Sequence, residues 1–310
     1  MRIYVDCDPG IDDALALAYV TAQPDVELVG VGSVFGNNLV PTTTDNALRL
    51  LELYGRPDVP VARGAGRALA QPPRPALHVH GENGLGEVEL PEPAAAPVEL
   101  SAAETLVRSA RSAPGEIDVL ALGPLTNIAL ALSIEPDLPR LLRRVVVMGG
   151  AVRAPGNTAP LAEANVASDP EAADVVLGAG FDTTLVALDV TMRTVADGDW
   201  LDGLDRVAGR RAETTAAILR FYTDWYSGMF GVRKCAMHDP LAAAVLIDPT
   251  LVTDAVEVPV RVELRGEHTR GQTVADLRLN RDRTDGRPAV TLVGDVDGEA
   301  FFKRMTDALR

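Results

Sequence analysis

Residues 1–20 read MRIYVDCDPGIDDALALAYV, and the eight from Asp6 to Asp13, DCDPGIDD, hold four aspartates. Arg2–Cys7 is apolar and short enough to read as a buried strand, and Asp12–Thr21 reads as a helix. Pro9 and Gly10 supply the turn between them. Coulomb repulsion and desolvation both oppose four carboxylates at such a junction. Singly they have ordinary explanations: the helix dipole favours Asp12, and Asp6 can be a hydrogen-bonded turn residue. Together they require a cation, and carboxylate donors favour a hard one, Ca²⁺ or Mg²⁺. The spacing D-x-D-x-x-x-D-D is not that of an EF-hand loop, so further ligands must come from elsewhere in the chain. MHDPLAAAVLIDP offers Asp239, next to His238 at a helix start, where it also reads as a helix cap.

The same strand-then-helix pattern recurs downstream. Glu27–Val34, Val119–Leu122, Arg144–Met148 and Thr183–Leu188 read as buried strands, and Thr42–Tyr54 and Leu125–Leu132 as helices. Such alternation predicts an α/β fold with a mainly parallel sheet covered by helices on both faces, where ligands bind at the carboxyl ends of the strands. A long helix is expected over Arg211–Tyr226 and another near Asp239. A small antiparallel C-terminal extension, Val256–Glu263 with Ala289–Val293, precedes a closing helix, Gly298–Leu309. No repeat or linker divides the chain, so residues 1–310 are expected to form one domain. Gly64–Pro97, Gly149–Pro160 and Gly228–Met237 resist regular assignment, and long irregular connections tend to be functional.

The bulk composition excludes several classes. The net charge is −15, which repels a phosphate backbone and makes nucleic acid a poor partner. Only Lys234 and Lys303 of the 29 basic residues are lysine, and neither lies in a phosphate-cradling GxxxxGK. No apolar run is long enough to span a membrane, and the start of the chain lacks a secretory leader pattern, so a cytoplasmic protein is expected. Cys7 and Cys235 are too few for a disulfide framework. Asp6 and Asp8 disfavour a Cys7 thiolate, which leaves Cys7 as a small residue of a buried strand.

Polar groups gather in the irregular stretches. GNN at 36–38 follows the second strand, HVHGENGLG carries His78 and His80, and GNTAPLAEANVASDPEAA carries Asn157, Glu163 and Asn165. These amides and carboxylates suit hydrogen bonds to hydroxyls, though each also reads as an ordinary loop or cap residue. SDPE at 168–171 reads as a helix cap followed by proline in the first turn.

Taken in order, DCDPGIDDALAL, GNN, HVHGENGLG, LGPLTNIALAL, VVMGGAV, GNTAPLAEANVASDPEAA and HDPLAAAVLIDP resemble the inosine-uridine-preferring nucleoside hydrolase family over nearly the whole chain. The resemblance implies Ca²⁺-dependent hydrolysis of the N-glycosidic bond of small-molecule ribonucleosides, in purine or pyrimidine salvage, by a homodimer or homotetramer. It assigns Asp8, Asp13, Asp239 and the Leu122 backbone carbonyl as metal ligands, with Asp8 also the general base on a metal-bound water. Asp6 supports them from behind. Asp12 and Asn37 contact the ribose or position that base. Asn157, Glu163 and Asn165 bind ribose hydroxyls. His80 and His238 line the nucleobase end, His238 as acid for the leaving base, a task that suits a histidine near neutral pKa. Tyr226, with Trp225 and Phe230, offers rings for the base to stack on, although Trp225 reads equally as packing in the helix core.

One position departs from the family pattern: Ala164 stands where an aromatic residue is familiar, which opens one wall of the pocket and leaves purine or pyrimidine preference undecided. Two alternatives remain at this level. A non-catalytic metal- or nucleoside-binding member of the fold would be expected to lack Asp8 and His238, and both are present. A haloacid-dehalogenase-like phosphatase also places D-x-D after its first strand, but Gly10 stands where it carries Thr or Val, and an acidic pocket repels phosphate.

Overall fold

The computed structural model of the chain describes residues 1–278 and 286–310. Its centre is an eight-stranded sheet. In chain order the strands of the molecule are β1 (Arg2–Cys7), β2 (Glu27–Ser33), β3 (Val61–Arg63), β4 (Ile117–Ala121), β5 (Leu142–Met148), β6 (Thr183–Val186), β7 (Val195–Ala196), β8 (Cys235–Ala236), β9 (Val252–Val258), β10 (Val260–Val262), β11 (Thr273–Ala275) and β12 (Val290–Val296). The sheet runs β3-β2-β1-β4-β5-β6-β12-β9, parallel throughout except for β9, which pairs antiparallel with β12 at one edge.

The strand period of two sorts β1 between the two faces. Ile3, Val5 and Cys7 enter one hydrophobic core and Tyr4 the other. Helices Ile11–Thr21 and His238–Ile247 cover the first face, and helices Ala102–Ser112, Thr126–Ile134 and Pro170–Leu177 the second. Asp6 lies level with Gly32 on β2 and Ala121 on β4, so the three central strands end together. From β1 the chain winds out to β2 and β3, then returns to β4 on the other side. The strand order reverses between β1 and β4, and a crevice forms where the two connections diverge.

Several sequence-based boundaries move. The expected strand Thr183–Leu188 stops at Val186, because Leu188 opens the short helix Leu188–Thr191. The expected strand Val256–Glu263 is two strands split at Pro259, which has no N–H for a ladder. β9 and β12 extend the main sheet, while β10 with β11 and β7 with β8 form separate antiparallel pairs. The helix expected to end at Tyr226 runs from Arg210 to Phe230, so Phe230 is helical and not a loop residue. No helix among the described residues is long and apolar enough to cross a membrane.

Candidate active site

At the carboxyl end of β1, Pro9 and Gly10 break the strand and the helix Ile11–Thr21 begins. Asp13 sits in its first turn, where Oδ2 accepts hydrogen bonds from Gly10 N–H (2.9 Å) and Asn37 Nδ2 (3.0 Å). Asp8 Oδ2 accepts from the Asn37 amide at 2.7 Å. Asn37 thus links the two carboxylates and fixes their separation. Asp12 Oδ2 accepts from the Tyr222 hydroxyl at 3.2 Å. Asp239 is not a cap: Met237 holds the N-cap position of its helix, and the Asp239 carboxylate turns inward. Asp12, Asp13 and Asp239 each bring an oxygen within 4.8 Å of the others.

All four N-terminal aspartates and Asp239 are buried. Oδ1 of Asp6, Asp8, Asp12 and Asp13 has no hydrogen-bond partner among the described residues. A buried acceptor without a partner costs ~1–3 kcal/mol, and more when charged. Burial pushes Asp6 and Asp13 up to about 7, the latter helped by the Asp12 charge. Burial also holds Asp8 and Asp239 well above the usual carboxylate range, with neighbouring aspartates adding to it. The buried carboxylates could therefore hold a cation and are ill-suited to being without one. Oxygen-only ligands fit Ca²⁺ or Mg²⁺.

Glycine brings the strands close enough for this. A Cβ on Gly36, just beyond β2, would stand 1.9 Å from Asp8 Oδ2, and one on Gly123, just beyond β4, 2.6 Å from Asp8 Oδ1. Asp6 lies behind: Asn127 Nδ2 donates to its Oδ2 (2.9 Å) and to Ser33 O (3.0 Å), tying the ends of β1 and β2 to the helix that follows β4.

Above the aspartates is a cavity of about 200 Å³, against the ~10–15 Å³ that a single water needs. Asp12, Asn37, His80, Leu122, Asn157, Glu163, Asn165, Tyr226, His238 and Asp239 line it. Asp8 and Asp13 lie beneath. Most of the nominated residues therefore gather at one place, with Asp6 behind them and Phe230 outside the cavity lining.

The details differ from expectation in three respects. Glu163 caps the helix Ala164–Ser168, and its oxygens accept from the N–H groups of Asn165 (2.7 Å), Val166 (3.0 Å) and Gly150 (2.9 Å). Asn157 Oδ1 accepts from Ala164 N–H (2.9 Å), and Asn165 Nδ2 donates to Leu122 O (2.6 Å). This wall is built first by its own hydrogen bonds, which leave Asn157 Nδ2 and Asn165 Oδ1 facing no partner among the described residues. Second, His238 is not near neutral pKa. Burial lowers it to about 4, and lowers His80 to about 3. Third, both His238 nitrogens are taken: Nδ1 by Thr191 Oγ1 at 2.7 Å and Nε2 by the Tyr226 hydroxyl at 2.6 Å. His80 Nδ1 accepts from Ile11 N–H (3.1 Å), which places its proton on Nε2.

Tyr222, Thr191 and Asn127 escaped the sequence reading. Tyr222 had a signal: it lies four residues before Tyr226 and eight before Phe230, on one helical stripe. Phe230 stacks on Tyr226 at 5.6 Å, so it backs the pocket ring without lining the cavity. Asp169 does cap its helix as SDPE suggested, accepting from Ala172 N–H at 3.1 Å.

The model of the inosine-uridine preferring nucleoside hydrolase family matches residues 3–303. A probable uridine nucleosidase 2 of Oryza sativa subsp. japonica is 42% identical over 287 residues, 92% of this chain and 84% of that protein. The pyrimidine-specific ribonucleoside hydrolase RihA of Salmonella gallinarum is 36% identical over 311 residues, covering 100% of this chain and 98% of that one. A solved plant nucleoside hydrolase, PpNRh1, superposes with a TM-score of 0.93 at 32% identity, over 99% of this chain and 98% of that one. The chain belongs to the inosine-uridine preferring nucleoside hydrolase family: it is an N-glycosyl hydrolase that acts on ribonucleosides. With that membership the phosphatase alternative falls.

Proposed function

We propose that the protein is a Ca²⁺-dependent hydrolase of pyrimidine ribonucleosides, uridine first, releasing ribose and free base in nucleoside catabolism or salvage. The observation that carries the chemistry is the set of buried, unpartnered aspartate oxygens beneath a cavity capped by a histidine–tyrosine pair. The pyrimidine preference rests on the relatives named above. We assign Asp8, Asp13, Asp239 and the Leu122 carbonyl as ligands of the ion. When bound, Ca²⁺ supplies a seat for the ribose 2′,3′-diol and raises the acidity of the attacking water.

The chain's own groups do the rest. Asp8 takes the proton of the water that attacks C1′. Asn157 Nδ2 and Asn165 Oδ1 orient the sugar, and Glu163 adds negative charge beside it. As the C1′–N bond breaks, the ring becomes cationic, and the Asp12 and Glu163 carboxylates stabilise that charge. The departing base takes a proton from the Tyr226 hydroxyl, which His238 Nε2 backs at 2.6 Å and Thr191 orients through Nδ1. Burial holds the Tyr226 hydroxyl proton more tightly and keeps His238 neutral, so the two serve the leaving base as one hydrogen-bonded pair. Tyr226 and Trp225 give the base its aromatic walls. A single domain, cytoplasmic placement and a homo-oligomer, dimer or tetramer, belong to the same proposal.

Purified protein incubated with uridine, cytidine, inosine and adenosine, with and without chelator, tests it through the reducing sugar released. Ribose from uridine, lost on chelation and restored by Ca²⁺, is the expected result. Chelator-resistant release would remove the ion from the proposal, and faster release from inosine would reverse the base preference.

A further inference from the structure

The turn that carries the aspartates is gripped by a residue that stands outside the cavity. Asn46 is buried in the helix Val40–Leu53 and does not line the cavity. Its Nδ2 donates to Pro9 O at 3.0 Å and to Asn83 O at 2.9 Å, so both amide hydrogens are used. Pro9 O and Gly10 N–H belong to one peptide unit. Asn46 holds the oxygen of that unit, and Asp13 Oδ2 accepts from its N–H at 2.9 Å. A peptide unit is planar, so fixing one end orients the other. The next N–H along, that of Ile11, donates to His80 Nδ1 at 3.1 Å. From His80 the chain turns to Asn83, held by Gly84 N–H on Gly81 O (3.1 Å) and Gly86 N–H on His80 O (2.8 Å).

These bonds close a circuit. It runs from Asn46 to Pro9, along the chain to Ile11, across to His80, along the chain to Asn83 and back to Asn46. One arm carries the Asp13 carboxylate and the other the His80 ring. The circuit has no slack: a Cβ on Gly10 would stand 2.6 Å from both His80 Nδ1 and Asn37 Nδ2, and one on Gly84 2.9 Å from Asn46 Nδ2. We propose that Asn46 is a positioning residue for the reaction, one that sets the Asp13 carboxylate and the His80 ring together from outside the cavity. This step rests on the ion and ribonucleoside reading of the site given above. Without the amide, the Pro9–Gly10 peptide is free to rotate and withdraw its N–H from Asp13. Asn83 is released as well, and with it the segment that presses His80 onto Ile11. Two buried carbonyls are left without their donor. Groups that orient a metal ligand by a hydrogen bond are worth ~10–100-fold in affinity or activity.

The test compares full-length wild type with N46A, N46S and Y54F. A serine hydroxyl has one hydrogen and cannot serve both carbonyls, so N46S makes the same cut if N46A does not fold. Y54F is the control for lost stability. Tyr54 is buried at the end of the same helix and its hydroxyl meets Thr215 Oγ1 at 3.2 Å, and neither residue lines the cavity. Hydrogen exchange read by mass spectrometry should quicken over residues 9–13 and 80–86 together in the Asn46 variants and in neither segment of Y54F. Their calorimetric Kd for Ca²⁺ should rise, and kcat for uridine at saturating Ca²⁺ should fall, by about tenfold or more each, while Y54F moves neither. An N46A protein that melts lower yet keeps the wild-type Kd and kcat would make Asn46 a structural tie and overturn the proposal. So would a Y54F protein that shifts both as far. If wild type binds no Ca²⁺ or hydrolyses no nucleoside, the earlier reading fails on its own. Exchange then still decides the circuit, since an Asn46 variant that leaves either segment unchanged refutes it.

Discussion

At the residue scale, Asp8 and Tyr226 separate the two ends of the proposed reaction. Asp8→Asn keeps the shape and the oxygen that accepts from Asn37 but removes the base. Turnover of uridine should fall ~10²–10⁴-fold with the fold intact by circular dichroism. A residual rate within tenfold of wild type would exclude Asp8 as base. Asp12→Asn is the companion variant. Asp12 groups more tightly with Asp13 and Asp239 than the family resemblance implied, while its Oδ2 is already engaged by Tyr222. Loss of Ca²⁺ affinity by calorimetry in D12N, and not in D8N, would move the ligand role from Asp8 to Asp12. Tyr226→Phe keeps the ring stack on Phe230 and deletes the donor. It should cost ~10²-fold on uridine and little on a riboside whose 4-nitrophenolate leaves unprotonated. Equal losses on both would assign Tyr226 to binding alone.

Elements hold these residues at their working distances. The helix Arg210–Phe230 presents Tyr222, Trp225 and Tyr226 to the cavity because positions three and four apart share a face. The stretch after β2 and the stretch after β4 close on Asp8 from opposite sides through Gly36 and Gly123. Gly123→Ala forces a methyl group into the Asp8 carboxylate. The expected cost is ~1–3 kcal/mol of stability in a denaturant melt, and a loss of turnover larger than that of Gly115→Ala. The latter lies where a Cβ meets nothing within 4 Å, although its φ of +74° carries its own strain, which makes it a stringent control. This packing was not legible beforehand. GNN and LGPLTN read as motifs, but only the register of β2, β1 and β4 shows that their glycines face one carboxylate. The helix Leu77–His80, which carries His80 to Ile11, was hidden inside a segment with no periodic pattern.

On the scale of the whole molecule, the reversal of strand order between β1 and β4 gathers the acids, and their charge makes stability depend on pH. Asp6 and Asp13 have folded-state pKa values raised from 3.8 to about 7. Between those values the folded metal-free protein binds more protons than the unfolded chain, so its stability falls as pH rises through the window. With chelator present, Tm should therefore drop from pH 6.5 to pH 8, above the range in which the buried histidines titrate in the unfolded chain. Ca²⁺ should raise Tm more at pH 8 than at pH 5, by up to ~2.7 kcal/mol of stability at a hundredfold excess over Kd. His80 and His238, held low by burial, oppose this trend below about pH 6.5, so a metal-free Tm that rises from pH 6.5 to pH 8 would contradict the burial argument.

The sequence by itself determined the local order of this protein. Strand and helix periods, the break at Pro9 and Gly10, and the improbable density of charge in DCDPGIDD were enough for the fold class and for the expectation of a cation, and the motifs that resemble the family nominated the candidate site residues. All of these are properties of neighbours along the chain. What only the tertiary structure decided is how distant atoms share space. It takes the third dimension to see that Asp239 turns inward instead of capping its helix, that Tyr226 stands on His238, and that burial holds both histidines neutral. A hydrogen bond or a desolvation cost depends on distances between segments up to hundreds of residues apart, and those distances do not exist until the sheet has assembled.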